Sequence, residues 1–94
     1  SALALVREAV HHIGPEGRYG DQKVFISAVY RAVAPEIGMT MAEFKSWLLD
    51  RNRNNDLVLA RADLVGAMDR SLVRDSEIED RGATFHFILA DSVR

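Results

Sequence analysis

Residues 40–62, TMAEFKSWLLDRNRNNDLVLARA, predict a capped helix that passes through a polar turn into a β-strand. Thr40 and Glu43 have the S/T-x-x-E spacing of a capping box, in which each side chain bonds the free backbone amide of the other residue. The apolar residues behind the box recur at helical spacing: Met41, Phe44 and Leu48. The run 52–56 is polar and favours a turn, and Leu57 to Arg61 is typical of a strand.

Two more helices are predicted upstream of this stretch. Apolar residues at helical spacing indicate a first helix, which Gly14 and Pro15 end: Leu3, Val6, Val10 and Ile13. Asp21 is a good N-cap for a second helix. Its apolar positions share one face until Pro35 breaks the pattern: Phe25, Ala28, Val29, Ala32 and Val33. Between these helices, Arg18 and Tyr19 suit a short strand.

The C-terminal third predicts one long strand behind an irregular segment. Asp63 is expected to cap a short helical turn that reaches Met68, and Ser71 to Asp80 has too few apolar residues to be more than a partly anchored loop. Gly82 turns the chain back. Thr84 to Leu89 alternates in polarity, as a half-buried strand does.

Composition predicts one soluble domain over residues 1–94. The chain is 48% hydrophobic and 28% charged with a net charge of −2, the values of an ordinary globular protein. It has no cysteine, which excludes disulfides, a thiolate nucleophile and a cysteine-based zinc site. Its longest apolar run, Ala2 to Val6, is too short to span a membrane. We expect a cytoplasmic protein, and the helical pattern that begins without an initiator methionine suggests part of a longer chain.

The order of these elements resembles the winged-helix superfamily. The residues that carry the resemblance are the helix pair 22–34 and 41–52 and the strands 57–61 and 84–89. The resemblance implies an α+β fold: three helices and a C-terminal two-stranded antiparallel wing, whose connection, residues 62–83, carries a short helical insert. It also implies that the helix after the turn enters the DNA major groove.

The face of that helix predicted to point outward favours a protein partner over DNA. It carries Glu43 and Asp50 but little positive charge, and a major-groove helix must approach phosphates. The insert is acidic as well, and it could recognise a basic protein or serve only to keep a loop solvated. The sequence therefore predicts a non-catalytic module that binds another protein or itself. Its candidate partner-binding residues are Leu49, Asp50, Glu77, Ile78, Glu79 and Asp80.

Duplex DNA is the alternative ligand. Arginine and asparagine at the end of the third helix suit base edges, and basic residues nearby suit phosphates. The candidate nucleic-acid-binding residues are Arg18, Lys23, Lys45, Ser46, Asn52 and Arg53.

Catalysis, metal binding and cofactors are not expected. His11 and His12 are adjacent on the first helix, so their side chains diverge by about 100° and do not share a metal readily. His86 lies on a strand, where a structural imidazole is the usual role. Gly14, Gly17 and Gly20 lack the lysine and hydroxyl residue of a phosphate-binding loop.

Overall fold

One helix precedes the first two strands of the main sheet, two helices follow those strands, and a fourth lies inside the segment that connects the last two. The computed structural model describes all 94 residues. The helices are α1 (Ala2–His12), α2 (Ile26–Ile37), α3 (Met41–Arg53) and α4 (Arg70–Ser76). The strands are β1 (Arg18–Tyr19), β2 (Lys23–Phe25), β3 (Leu59–Ala60), β4 (Ile78–Asp80), β5 (Ala83–Phe85) and β6 (Phe87–Leu89). The fold class is α+β, as the sequence predicts.

The ends of α1 and α3 follow from local side chains. Thr40 and Glu43 form the predicted capping box, with Thr40 N donating to Glu43 Oε1 at 2.8 Å and Glu43 N donating to Thr40 Oγ1 at 3.2 Å. Ser1 Oγ accepts from Ala4 N at the start of α1. At the other end of α1, the Arg18 guanidinium donates to the carbonyl oxygen of Val10 at 2.8 Å, which satisfies a group that a helix terminus leaves free.

The prediction for the start of α2 is wrong. Asp21 does not cap it, because residues 23–25 form β2, and α2 begins only at Ile26 with Phe25 as its N-cap. The predicted stop at Pro35 is also wrong, since α2 continues to Ile37 and ends at Gly38, whose φ of 70° is left-handed. Pro35 is exposed in the last turn, where it removes only the one helical bond that its own nitrogen would donate.

β2 and β6 are the two inner strands of the main sheet. The strand order is β1-β2-β6-β3, and all pairs are antiparallel. The predicted strand at Arg18 and Tyr19 is present as β1, whereas the strand predicted for 57–61 shortens to residues 59–60. The long strand predicted from Thr84 to Leu89 is two strands, because the pairing partners change at His86: residues 83–85 pair with β4, whereas residues 87–89 pair with β2 and β3.

The segment predicted as a loop, residues 71–80, is ordered. It forms most of α4 and all of β4, and β4 pairs with β5 in a separate hairpin. Arg81 and Gly82 join these strands with φ values of 53° and 84°, the two positive angles of a type I′ turn. The predicted two-stranded antiparallel wing is present, because β3 pairs with β6, and its connection carries the predicted short helix together with a hairpin that was not predicted. We call this connection the insert (residues 62–86).

The insert explains why both faces of β6 are buried. Ile88 belongs to a large core cluster with residues of α1, α2 and α3, while Phe87, on the other face, packs with Phe25 and with Val73 of α4. The sequence predicts one solvent-exposed face for this strand, and that expectation is wrong because α4 covers the second face.

Tight packing is also visible at Gly17, where a Cβ atom would lie 2.5 Å from Ile13 Cγ2 and 2.9 Å from Ala28 Cβ.

Candidate functional site

One stripe of α3 docks the insert onto the helix. Its residues are spaced four apart, so they share a side of the helix: Lys45, Leu49 and Arg53. Arg53 Nη2 contacts Asp80 Oδ2 at 2.9 Å, and Nη1 contacts Asp50 Oδ1 at 3.4 Å. Burial lowers the pKa of the Lys45 ammonium, against the attraction of Asp75 and Glu77, which raises it. We call this contact the α3–insert interface.

The apolar residues predicted to meet a partner lie within this interface. Ile78 is only 4% exposed and belongs to the main core cluster, and Leu49 is half-buried against the same cluster. Ile78 faces inward because β4 pairs with β5 and turns that side toward the core. The expectation that Ile78 is exposed is therefore wrong, and little of Leu49 remains for a partner.

The predicted acidic residues divide between two sides of β4. Alternation along a strand places Asp80 on the side of Ile78, beside Arg53, whereas Glu79 is exposed on the opposite side. Glu77 is exposed and its Oε1 lies 3.2 Å from His86 Nε2. The structure therefore brings Asp50 and Asp80 to one guanidinium but separates Glu79 from them.

His86 has a structural environment. Its side chain is buried, and Nδ1 accepts from Ala62 N at 3.0 Å, so the other ring nitrogen carries the proton that faces Glu77. The ring holds the chain at Ala62 against the end of β5. No group of three or more potential metal-ligating side chains occurs in the structure.

Most residues of the predicted nucleic-acid site are engaged inside the domain. Arg18 bonds the carbonyls of Val10, Ile13 and Asp21. Asn52 Oδ1 accepts from Leu59 N at 3.1 Å, which caps the outer edge of β3. The Lys23 ammonium lies 5.9 Å from the ring centroid of Phe87. Arg53 contacts Asp50 and Asp80, whereas Lys45 is half-buried and attracted by Asp75 and Glu77 without a hydrogen bond, and Ser46 is the exposed member without a partner.

The side of α3 opposite its buried residues Phe44 and Leu48 is exposed, and we call it the outer α3 face: Ala42, Glu43, Ser46 and Asp50. Its charges are negative. Hydrogen bonds with Thr40 lower the pKa of Glu43, so that carboxylate stays ionised. Asp50 shares Arg53 with Asp80, and one guanidinium does not neutralise two carboxylates. The outer α3 face therefore repels a phosphate backbone.

Sequence reasoning missed the apolar side chains that are most exposed. Val58 is 45% exposed, Leu64 63% and Val65 40%, beside the edge strand β3 and in the segment after it. A signal existed in the sequence: Leu64 and Val65 are adjacent between Asp63 and Gly66, and a short turn cannot bury both neighbours. Apolar residues in this position are available for contact with another protein.

Comparison with known proteins finds no matching family model, no matching curated protein and no matching solved structure. In the structure, no helix is both long enough and apolar enough to cross a membrane.

Proposed function

We propose that this chain is a winged-helix-like interaction module, without catalytic activity, that binds another protein or a second copy of itself. The winged-helix element is supported by the strand order β2-β6-β3 and by two helices that directly follow β2. The cytoplasmic location expected from composition stays part of the proposal.

The observation that carries protein binding is the acidic character of the outer α3 face. In a DNA-binding winged helix this face would meet phosphates, yet here Glu43 and Asp50 are exposed and the nearest bases are engaged by acids. A protein partner tolerates such a face, since charge complementarity sets the register of an interface. Leu64 and Val65 add the apolar area that protein interfaces desolvate.

Duplex DNA is the second candidate, and one observation favours it. Arg81 lies at the turn of the β4–β5 hairpin, and Arg61 precedes the insert; both are exposed and neither forms an ion pair. In a DNA-binding winged helix, an unpaired arginine at the tip of the wing contacts the DNA backbone or the minor groove. In this alternative the hairpin, and not α3, holds the nucleic acid.

A titration of the isotope-labelled domain with a random-sequence duplex distinguishes the two candidates. At low salt we expect no shifts of the backbone amides at Ser46 and Asp50. Salt-sensitive shifts at residues 45–53 would overturn the proposal. Shifts confined to the hairpin and removed by Arg81→Glu would establish the DNA alternative, with Arg70→Glu as the control for a change of charge elsewhere.

Cross-linking tests the protein partner directly. A photo-reactive residue replaces Leu64 or Ser46 in the protein as it exists in its native cells, with Glu16 as the matched exposed control. We expect a discrete protein adduct from the first two positions and none from the control. Equal adducts from all three positions would contradict a specific protein-binding surface.

A further inference from the structure

A groove separates α1 from α2 on a side of the domain that the α3–insert interface does not use. Its volume is about 240 Å³, and its floor is apolar: Leu5, Ala9, Ala32 and Val33. Two alanines at facing positions leave space that longer side chains would fill. Pockets for small-molecule ligands span roughly 300–1,000 Å³. The groove is therefore smaller than the usual small-molecule pocket.

Two carboxylates without partners border this floor. Glu8 of α1 and Glu36 of α2 line the groove, and neither side chain forms an ion pair within the domain. Asp75 and Asp80 of the insert differ, since each is paired with arginine. His12 completes the border, and its Nδ1 is held 2.8 Å from the carbonyl oxygen of Glu8.

The position of Glu36 is unfavourable for the fold. It lies in the last turn of α2, which ends at Ile37, and a negative charge there opposes the partial negative charge of a helix C-terminus. Because no cation in the domain compensates this charge, packing and capping do not explain it. A residue that breaks a local rule without internal compensation is typical of a functional position.

We propose that the groove binds a lysine or arginine side chain from a basic segment of a partner protein. The methylene stem covers the apolar floor, and the cation lies between Glu8 and Glu36, where charge and hydrophobic surface are both complementary. An apolar side chain would desolvate the two carboxylates without compensation, and an anion would be repelled. The inference rests on the proposed protein-binding function and specifies the chemistry of the partner, at a surface separate from the outer α3 face.

A single-residue probe tests the groove. The isotope-labelled domain is titrated with Nα-acetyl-lysine methylamide, and with the norleucine analogue, which has the same stem but no ammonium. We expect saturable amide shifts at Ala9 and Ala32 for the lysine compound. Affinity for the norleucine compound should be roughly tenfold lower, since two weak ion pairs are absent.

The variant Glu8→Gln/Glu36→Gln should weaken lysine binding by a similar factor, roughly tenfold, while its melting temperature stays equal or rises. The matched control Glu16→Gln/Asp21→Asn removes two exposed acids outside the groove and should change neither quantity. Equal affinity of both probes, or of the variant and the wild type, would overturn the proposal. Self-association that occupies the groove in the absence of a probe would also overturn it, because the occupant would then be a second copy. Neither readout depends on the duplex titration.

Discussion

Ser76→Ala is the perturbation with the clearest expected effect. Phe25, the N-cap of α2, has no side-chain oxygen, and the cap is supplied from 49 residues away: Ser76 Oγ accepts from Ser27 N at 2.9 Å. The Ser76 hydroxyl also contacts Ser27 Oγ at 2.9 Å, and both serines are completely buried. The end of α4 thus holds the start of α2 through one hydroxyl.

The magnitude follows from what the substitution leaves behind. Without Ser76 Oγ, the amide of Ser27 is buried and unsatisfied, which costs about 2 kcal/mol. For a domain of this size that loss lowers the melting temperature by about 8–16 °C. Ser27→Ala should cost less, about 1 kcal/mol, because it removes only the contact between the hydroxyls and keeps the bond from the amide.

Chemical denaturation of both single variants and of the double variant measures these costs and their coupling. Ser46→Ala, an exposed serine on α3, is the matched control and should stay within about 0.5 kcal/mol of the wild type. If Ser76→Ala also lay within about 0.5 kcal/mol of the wild type, the distal cap would contribute nothing and the reasoning would be refuted.

Three further substitutions have definite expected outcomes. Gly17→Ala should lower the free energy of unfolding, measured in urea, by about 1–3 kcal/mol because the added Cβ has no space. The control is Gly66→Ala, whose Cβ meets nothing within 4 Å. The bonds from Thr40 lower the pKa of Glu43 below 4.5, so the ionised carboxylate stabilises the fold above that pH, and this contribution disappears as the pH falls through the lowered pKa. The difference in unfolding free energy between the wild type and Glu43→Gln should therefore shrink between pH 6 and pH 3. A difference that does not depend on pH would contradict this. Lys45→Met should not lower the midpoint of thermal unfolding, since burial disfavours the ammonium more than nearby acids favour it; a fall of several degrees would show that the attraction dominates.

Local chemistry made parts of the fold predictable. The capping box of Thr40 and Glu43 and the turn at Gly82 depend on residues that lie within a few positions of each other, and both were predicted correctly. The start of α2 was not predictable in this way. Its first two amides are bonded by His86 O and Ser76 Oγ, which are distant in the chain, so Asp21 was a better local candidate that the tertiary structure did not use.

In the candidate site, too, some features follow from neighbouring residues and others from tertiary contacts. The outer α3 face was predicted from helical periodicity alone, and Glu43, Ser46 and Asp50 are exposed there. The order of residues 71–80 was not predicted because α4 and β4 have few apolar residues, and their order depends on contacts with the rest of the domain: Val73 and Ile78 in the two core clusters, and Asp80 on Arg53. Those contacts also decided that Arg53 and Ile78 serve the fold, as the hydrogen bond from Leu59 N does for Asn52.

The sequence by itself determined the α+β class, the positions of the first and third helices and the charge of the outer α3 face, because periodicity and capping act between near neighbours. Only the tertiary structure decided that β2 and β6 are the inner strands, that the insert packs on α3 and that Glu8 and Glu36 border an apolar groove. These features join residues far apart in the chain, and each exists only when the packed core brings the elements together.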